Sequence, residues 1–214
     1  HDRAIHLCTL FLKDIVDFIQ QTIDPHFELI RYAESLCLRL PEFTPLQQEL
    51  EKPLSLIDKV LLRIFEEKIN TLQPEFVGFS VPFPGNLYSA LRCAQWLKQN
   101  HPAIKIIMGG GYVNTELRQM TDNSLFDYID FLTFDDGELP LLRILKDEEL
   151  IRTLYRNNEG EIVSVNFDST ANFKFAEIAT PDYDGLLKNN YINLVEMTNP
   201  MHALWSNGRW NKMT

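Results

Sequence analysis

Three short apolar runs, Phe76-Val77-Gly78-Phe79-Ser80, residues 104–108 and residues 128–134, alternate with helical patterns, and this alternation constrains the fold more than any other feature. The first run lies between Pro74 and Pro82 and is apolar almost throughout, as a strand covered on both faces has to be. Between the first and second runs, Leu87, Ala90, Leu91, Ala94 and Leu97 recur at helical spacing, with Asn86 placed to cap the helix and Asn100-His101-Pro102 to end it. A polar helix around residues 115–120 precedes the third run, and Asp135-Asp136-Gly137 then opens a helix through Leu139, Leu142 and Leu145. Strand and helix in strict turn predict βαβ winding with right-handed crossovers. The expected fold class is α/β, a partial flavodoxin-like (Rossmann-like) parallel sheet.

The flanks read differently. Residues 1–74 form a helical amino-terminal segment, with two helices over residues 5–40 separated near residues 22–25, where Asp24 reads as an N-cap with Pro25 at the first helical position. Pro41, Pro45 and Pro53 break the next stretch, and Leu56, Val60, Leu61, Ile64, Phe65 and Ile69 then mark one more helix ending at Leu72-Gln73-Pro74. Residues 75–150 carry the wound α/β domain. Beyond it, residues 154–156 and 161–165 flank Asn157-Asn158-Glu159-Gly160 and predict a β-hairpin. Residues 168–214 are rich in Asn, with Trp205, Trp210, Met201 and Tyr191 spread along them, and are expected to be an irregular arm that packs on something else, a further domain or a second copy of the chain. The first residue is His1 rather than Met, which predicts a chain that begins within a longer polypeptide.

Charge and cysteine usage narrow the classes of function. With 20 basic and 30 acidic side chains in 214 residues, the formal charge of −10 repels phosphate backbones, so nucleic-acid binding is not expected. No apolar stretch approaches the roughly 20 residues that span a bilayer, so a soluble, cytoplasmic protein without membrane partners is expected. Cys8, Cys37 and Cys93 lie far apart with no CxxC, and His1, His6, His26, His101 and His202 do not cluster, so no self-contained metal site is expected.

In open parallel sheets ligands settle at the carboxyl ends of the strands. Here those ends read Ser80-Val81-Pro82, Gly109-Gly110-Gly111-Tyr112 and Asp135-Asp136-Gly137-Glu138. Three adjacent glycines remove side chains where the chain leaves a strand, which predicts backbone open to a bulky ligand. On that view Gly110→Val blocks the slot and leaves the fold. Ser80 closes an apolar strand, so a buried hydroxyl in need of a partner is expected there. An acidic residue at 135, 136 or 138 is favoured by the dipole of the helix that follows and reads as a cap.

These residues resemble a known family. Ser80-Val81-Pro82, followed after 26 intervening residues by Gly109-Gly110, is similar to the SxL and GG elements of cobalamin-binding domains of the methionine-synthase type, with Pro in place of Leu. From Val77-Gly78-Phe79-Ser80 through Gly109-Gly110-Gly111-Tyr112 to Asp136-Gly137-Glu138 the chain looks like the amino-terminal cobalamin-binding-type domain of radical S-adenosylmethionine proteins, and Pro181-Asp182-Tyr183-Asp184-Gly185-Leu186 is similar to the connector into the radical domain. The resemblance covers residues 75–187. It implies cobalamin held at Ser80, Pro82, Gly109, Gly110, Gly111, Tyr112, Asp136, Gly137 and Glu138. S-adenosylmethionine and a 4Fe-4S cluster would sit on a CxxxCxxC beyond Thr214, in a downstream radical domain that is the implied partner.

Two departures limit the resemblance. The CxxxCxxC is absent, so these residues alone are not expected to catalyse. The DxHxxG of methylcobalamin enzymes is also absent, since Asp24-Pro25-His26-Phe27-Glu28-Leu29 lacks the glycine and lies in a helical pattern. Two other readings stay open. Gly109, Gly111 and Asn114 fall on the positions of a nucleotide-binding GxGxxG whose third glycine is missing. Alternatively the fold is vestigial and serves as a docking platform, because two strands expected before Phe76 are replaced by helices.

Overall fold

The computed structural model describes residues 2–29, 43–118, 121–180 and 184. The expected second amino-terminal helix does not start at Pro25, since residues 25–29 form a turn and a bend; the rest of its span, to residue 40, and the tryptophan-bearing arm lie outside the described residues. Helix α1 (Asp2–Thr22) carries Leu7, Leu10, Phe11 and Phe18 on an exposed face. After it the Asp24 carboxylate accepts the His26 backbone N–H at 2.9 Å, so it closes a local turn. Helix α2 (Thr44–Glu51) departs from the sequence expectation of a broken stretch, because Pro45 occupies its first turn, where the missing N–H and fixed φ fit the helix. Helix α3 (Leu56–Leu72) starts with a capping box: the Asp58 N–H donates to Ser55 Oγ at 3.0 Å, and the Ser55 N–H donates to Asp58 Oδ2 at 3.1 Å.

Strands β1 (Phe76–Ser80), β2 (Lys105–Gly109) and β3 (Phe131–Thr133) are parallel and adjacent, in chain order. Helix α4 (Pro84–Asn100) connects the first pair. It begins at Pro84 with Phe83 as its N-cap, three residues ahead of the Asn86 cap that the sequence suggests, because Pro84 is preset for the first helical position. Helix α5 (Gly111–Glu116) starts inside the glycine run, earlier than the polar pattern suggests. The third strand is shorter than expected at its start, since Tyr128 still closes the 3-10 turn of residues 123–127, its N–H donating to Leu125 O at 3.1 Å. Helix α6 (Glu138–Leu145) precedes β4 (Thr153–Arg156) and β5 (Ile162–Val165), the expected hairpin. Its Asn157 side chain accepts the N–H groups of Glu159 and Glu161, and Gly160 takes φ 85°. The hairpin is no appendage. It adds antiparallel to β3, so the described residues form an α/β fold with a five-stranded mixed sheet in the order β1 to β5, a partial Rossmann-like fold.

Ile106, Met108 and Leu132 are fully buried, each worth roughly 1.5–3 kcal/mol. Phe79 is only half-buried because β1 is the sheet edge among the described residues, and its ring rests on Phe65 of α3, with centroids 6.2 Å apart. A single cluster joins Leu46 and Leu50 of α2 and Ile69 of α3 to Leu87, Ile106, Leu132 and Leu154, so residues 74/75 and 150/151 are not breaks in packing. Among the described residues no helix is long and apolar enough to cross a membrane.

Helix α4 is covered on two sides, which buries Arg92 inside its apolar pattern. Arg92 donates to Leu50 O at 2.7 Å, Glu49 O at 3.1 Å and Tyr88 Oη at 2.7 Å, and its guanidinium lies 3.3 Å from Asp58 Oδ2. Tyr88 in turn donates to Asp58 Oδ2 at 3.1 Å. One guanidinium thereby ties the last carbonyls of α2 to the first turn of α3. Burial raises the neighbouring Cys93 thiol from its ordinary 9.0 to about 12, with the Asp58 carboxylate adding to the shift. The folded protein keeps a proton that the unfolded chain releases near pH 9, so this part of the stability is intact below that pH and is lost as the pH rises toward 12. The urea midpoint is expected to fall over that range, and to fall less steeply in Cys93→Ala. Equal slopes in the two proteins would show that the thiol titrates normally.

Candidate functional site

The carboxyl rim of the parallel strands is built by strand register. Ser80 of β1 lies opposite Gly109 of β2, so the two chains leave the sheet side by side. The Val81 N–H donates to Gly109 O at 2.7 Å, and the Tyr112 N–H donates to Val81 O at 3.0 Å, which sews the two exits together. Gly110 has φ 111°, a conformation that glycine alone adopts readily. A Cβ there would stand 2.7 Å from Val81 N and 2.8 Å from Val81 O. A Cβ on Gly109 would meet Thr133 Oγ1 at 2.8 Å, and one on Gly111 would meet Pro82 O at 3.3 Å. The three glycines therefore make room for the protein's own β1 exit and for a β3 side chain. Gly110→Val cannot block a slot while sparing the fold, because its first added carbon already overlaps the Val81 backbone.

Ser80 is exposed, contrary to the expectation of a buried hydroxyl, because it ends the edge strand and water reaches it. Pro82 is exposed beside it, and Tyr112 is buried beneath. The third rim loop is held more firmly. Asp135 has φ 63° and its N–H donates to Asn114 Oδ1 at 2.7 Å. Its carboxylate pairs with Arg118 and lies 3.9 Å from Arg152 Nε. Asp136 accepts from the Asn172 side-chain amide. Neither aspartate caps α6, whose N-cap is Gly137 without a side-chain bond; both face cationic or amide donors that compete successfully. Gly137 has nothing within 4 Å of a would-be Cβ, and Glu138 is exposed in the first turn of α6.

All nine residues that the resemblance implies thus lie on or beside one rim, at three successive strand ends. The open portion is a ledge of Ser80, Pro82, Gly111, Asp136 and Glu138. As a test of fit to a corrinoid, the glycine run offers no cradle, because the space that it leaves is filled by Val81, Pro82 and Thr133. The GxGxxG reading gains nothing: Asn114 is engaged by the Asp135 backbone, and α5 has only six residues. Among the described residues no group of three or more His, Cys, Asp or Glu side chains is arranged to hold a metal. His26 lies 3.8 Å from the Glu49 carboxylate, and His101, which caps the far end of α4, sits with its ring 5.2 Å from Trp96.

Arg118, Arg152 and Asn172, which fix the third loop, were not singled out by the sequence, and Asn114, which stood there only as a GxGxxG position, holds the same loop through the Asp135 N–H. One signal was present: Arg152 interrupts the run Leu150-Ile151-Arg152-Thr153-Leu154, where a cation is costly unless it has several partners. No family model, no curated protein and no solved structure matches this chain.

Proposed function

We propose that this chain is the accessory α/β unit of a radical S-adenosylmethionine enzyme and that its carboxyl rim docks the catalytic domain. The observation that carries the reading is the state of the rim. The three motifs of the resemblance meet along one edge, yet the glycines are used up in joining the strand exits, and what is left is an exposed ledge that suits a protein surface. In this reading the radical chemistry, with its iron–sulfur cluster and S-adenosylmethionine, belongs to the downstream domain, and the present residues supply support and orientation.

Cysteine labelling tests the proposal. Ser80→Cys and Glu138→Cys are expected to react about tenfold more slowly in the polypeptide that carries the radical domain than in the 214-residue chain, since docking removes both from solvent. Equal rates in the two would sink the docking reading.

A second reading, a corrinoid positioned at the ledge, is favoured by the register of Ser80 with Gly109 at the family's spacing. A visible-absorbance titration of the full polypeptide with cobalamin separates the two. Stoichiometric uptake that is lost in Glu138→Lys and Ser80→Tyr, both exposed positions, would replace docking with cofactor binding.

A further inference from the structure

The two strands of the hairpin both bend at the rim through residues in the left-handed region, Arg152 with φ 44° and Asn166 with φ 46°. The bends face each other, the Arg152 N–H donating to Asn166 O at 3.4 Å. Such a φ is unfavourable for a residue with a Cβ, and asparagine tolerates it far better than arginine does. Arg152 is nonetheless held there, and its side chain is turned inward to 3% exposure, where arginine is rarely found.

The buried guanidinium gathers one set of acceptors. It donates to Ser169 O at 3.1 Å, Ala171 O at 2.7 Å and Asn172 Oδ1 at 3.2 Å, all on the segment that leaves β5, and to Asp136 O at 3.3 Å on the third rim loop. Asn172 then reaches the Asp136 carboxylate with its amide. The segment supplies little order of its own, with one backbone bond from the Ser169 N–H to Asn166 O and one from the Ala171 N–H to Ser169 Oγ at 3.3 Å. Its further anchors are at its start, where the Asn166 side-chain amide donates to Leu150 O at 3.0 Å and Glu149 Oε1 at 3.2 Å and the Phe167 ring packs 5.1 Å from that of Phe134, so beyond Phe167 the segment depends on Arg152.

We infer that Arg152 is a latch: it holds residues 166–172 as a strap across the third rim loop and so sets the point at which the chain leaves the sheet. The inference rests on the hydrogen bonds and the backbone alone, and it stands whether the rim docks a domain, holds a corrinoid or does neither. Arginine suits this task because a planar fork with five donors satisfies several carbonyls at once, which a lysine ammonium at the end of a flexible stem does not. Release of the strap takes the Asn172 amide away from the exposed Asp136 carboxylate and frees the Asp136 carbonyl, so one side chain controls how the acidic end of the rim is held.

Hydrogen exchange in the whole chain tests the latch, with Arg152→Gly as the main variant, since glycine accepts the backbone angle and removes only the side chain. Peptides covering residues 166–173 are expected to exchange about tenfold faster or more, while those covering β1 and β2 keep their wild-type rates. Arg152→Lys is expected to behave like the glycine variant. Unchanged exchange over residues 166–173 would overturn the inference, and so would equal acceleration over β1 and β2, which would make Arg152 a support of the whole core. Should Arg152→Gly fail to fold, Asn172→Ala decides, because Asn172 is exposed and its loss removes one acceptor of the guanidinium without burying or stranding a charge. Faster exchange confined to residues 169–173 supports the strap, and no change overturns it.

Discussion

Substituting valine for Gly110 is expected to lower the thermal midpoint by about 6–12 °C, the consequence of a loss of about 3 kcal/mol in a domain of this size. Two penalties combine. The φ of 111° is strained for any residue with a Cβ, and the new carbon would overlap the Val81 backbone, which cannot swing aside without undoing the β1 exit. Because the overlap begins at the first carbon, Gly110→Ala is expected to lose most of the same stability. Gly137→Ala serves as the control, since nothing lies within 4 Å of its Cβ position and its φ of −71° is ordinary; no loss is expected there. Differential scanning calorimetry of the three variants checks the argument, and a neutral Gly110→Ala would show that the glycine run leaves open space after all.

Breaking the buried ion pair is expected to have an effect of similar size. Asp58→Ala should cost about 3–5 kcal/mol by urea denaturation, because it strands the Arg92 guanidinium, 2% exposed, beside carbonyls and a phenol that cannot balance its charge. The paired replacement Asp58→Leu with Arg92→Met is expected to recover much of that loss, since two apolar side chains of similar bulk have no charge to desolvate. Measured against its own single variants, Asp58→Leu and Arg92→Met, the double variant is therefore expected to be strongly non-additive, by about 1 kcal/mol or more. A single-variant loss below about 1 kcal/mol would mean that water reaches the pair and relieves it.

The strands of the winding were legible as short apolar runs, which burial on both faces forces at Ile106, Ile107 and Met108 of β2, whereas β1 at the sheet edge is only partly covered. Helices α3 and α4 were legible from their apolar spacing. Helix α2 was not, because a proline reads as a breaker until its position within the first turn is known. The rim was legible as a place, since the small and acidic residues all follow strand runs. Its inner logic was not. Whether three glycines open a slot or admit a neighbouring strand depends on where Val81 and Thr133 come to lie, and only the register of β1, β2 and β3 decides that. Likewise Asp135 and Asp136 look like caps in isolation, and the donors that capture them come from residues 17 to 36 positions away in the chain.

The hairpin has one more consequence, which follows from counting strands. Three parallel strands each finish at the same rim, so a chain that simply continued into one antiparallel strand would be carried to the opposite edge, where Lys98 and Lys105 meet Asp130. Two antiparallel strands make a return trip. β4 runs away from the rim for four residues, about 13 Å, and β5 brings the chain back. An even number of such strands delivers any following segment to the rim side of the sheet without a crossing linker, and inserting or deleting a single strand would reverse that address.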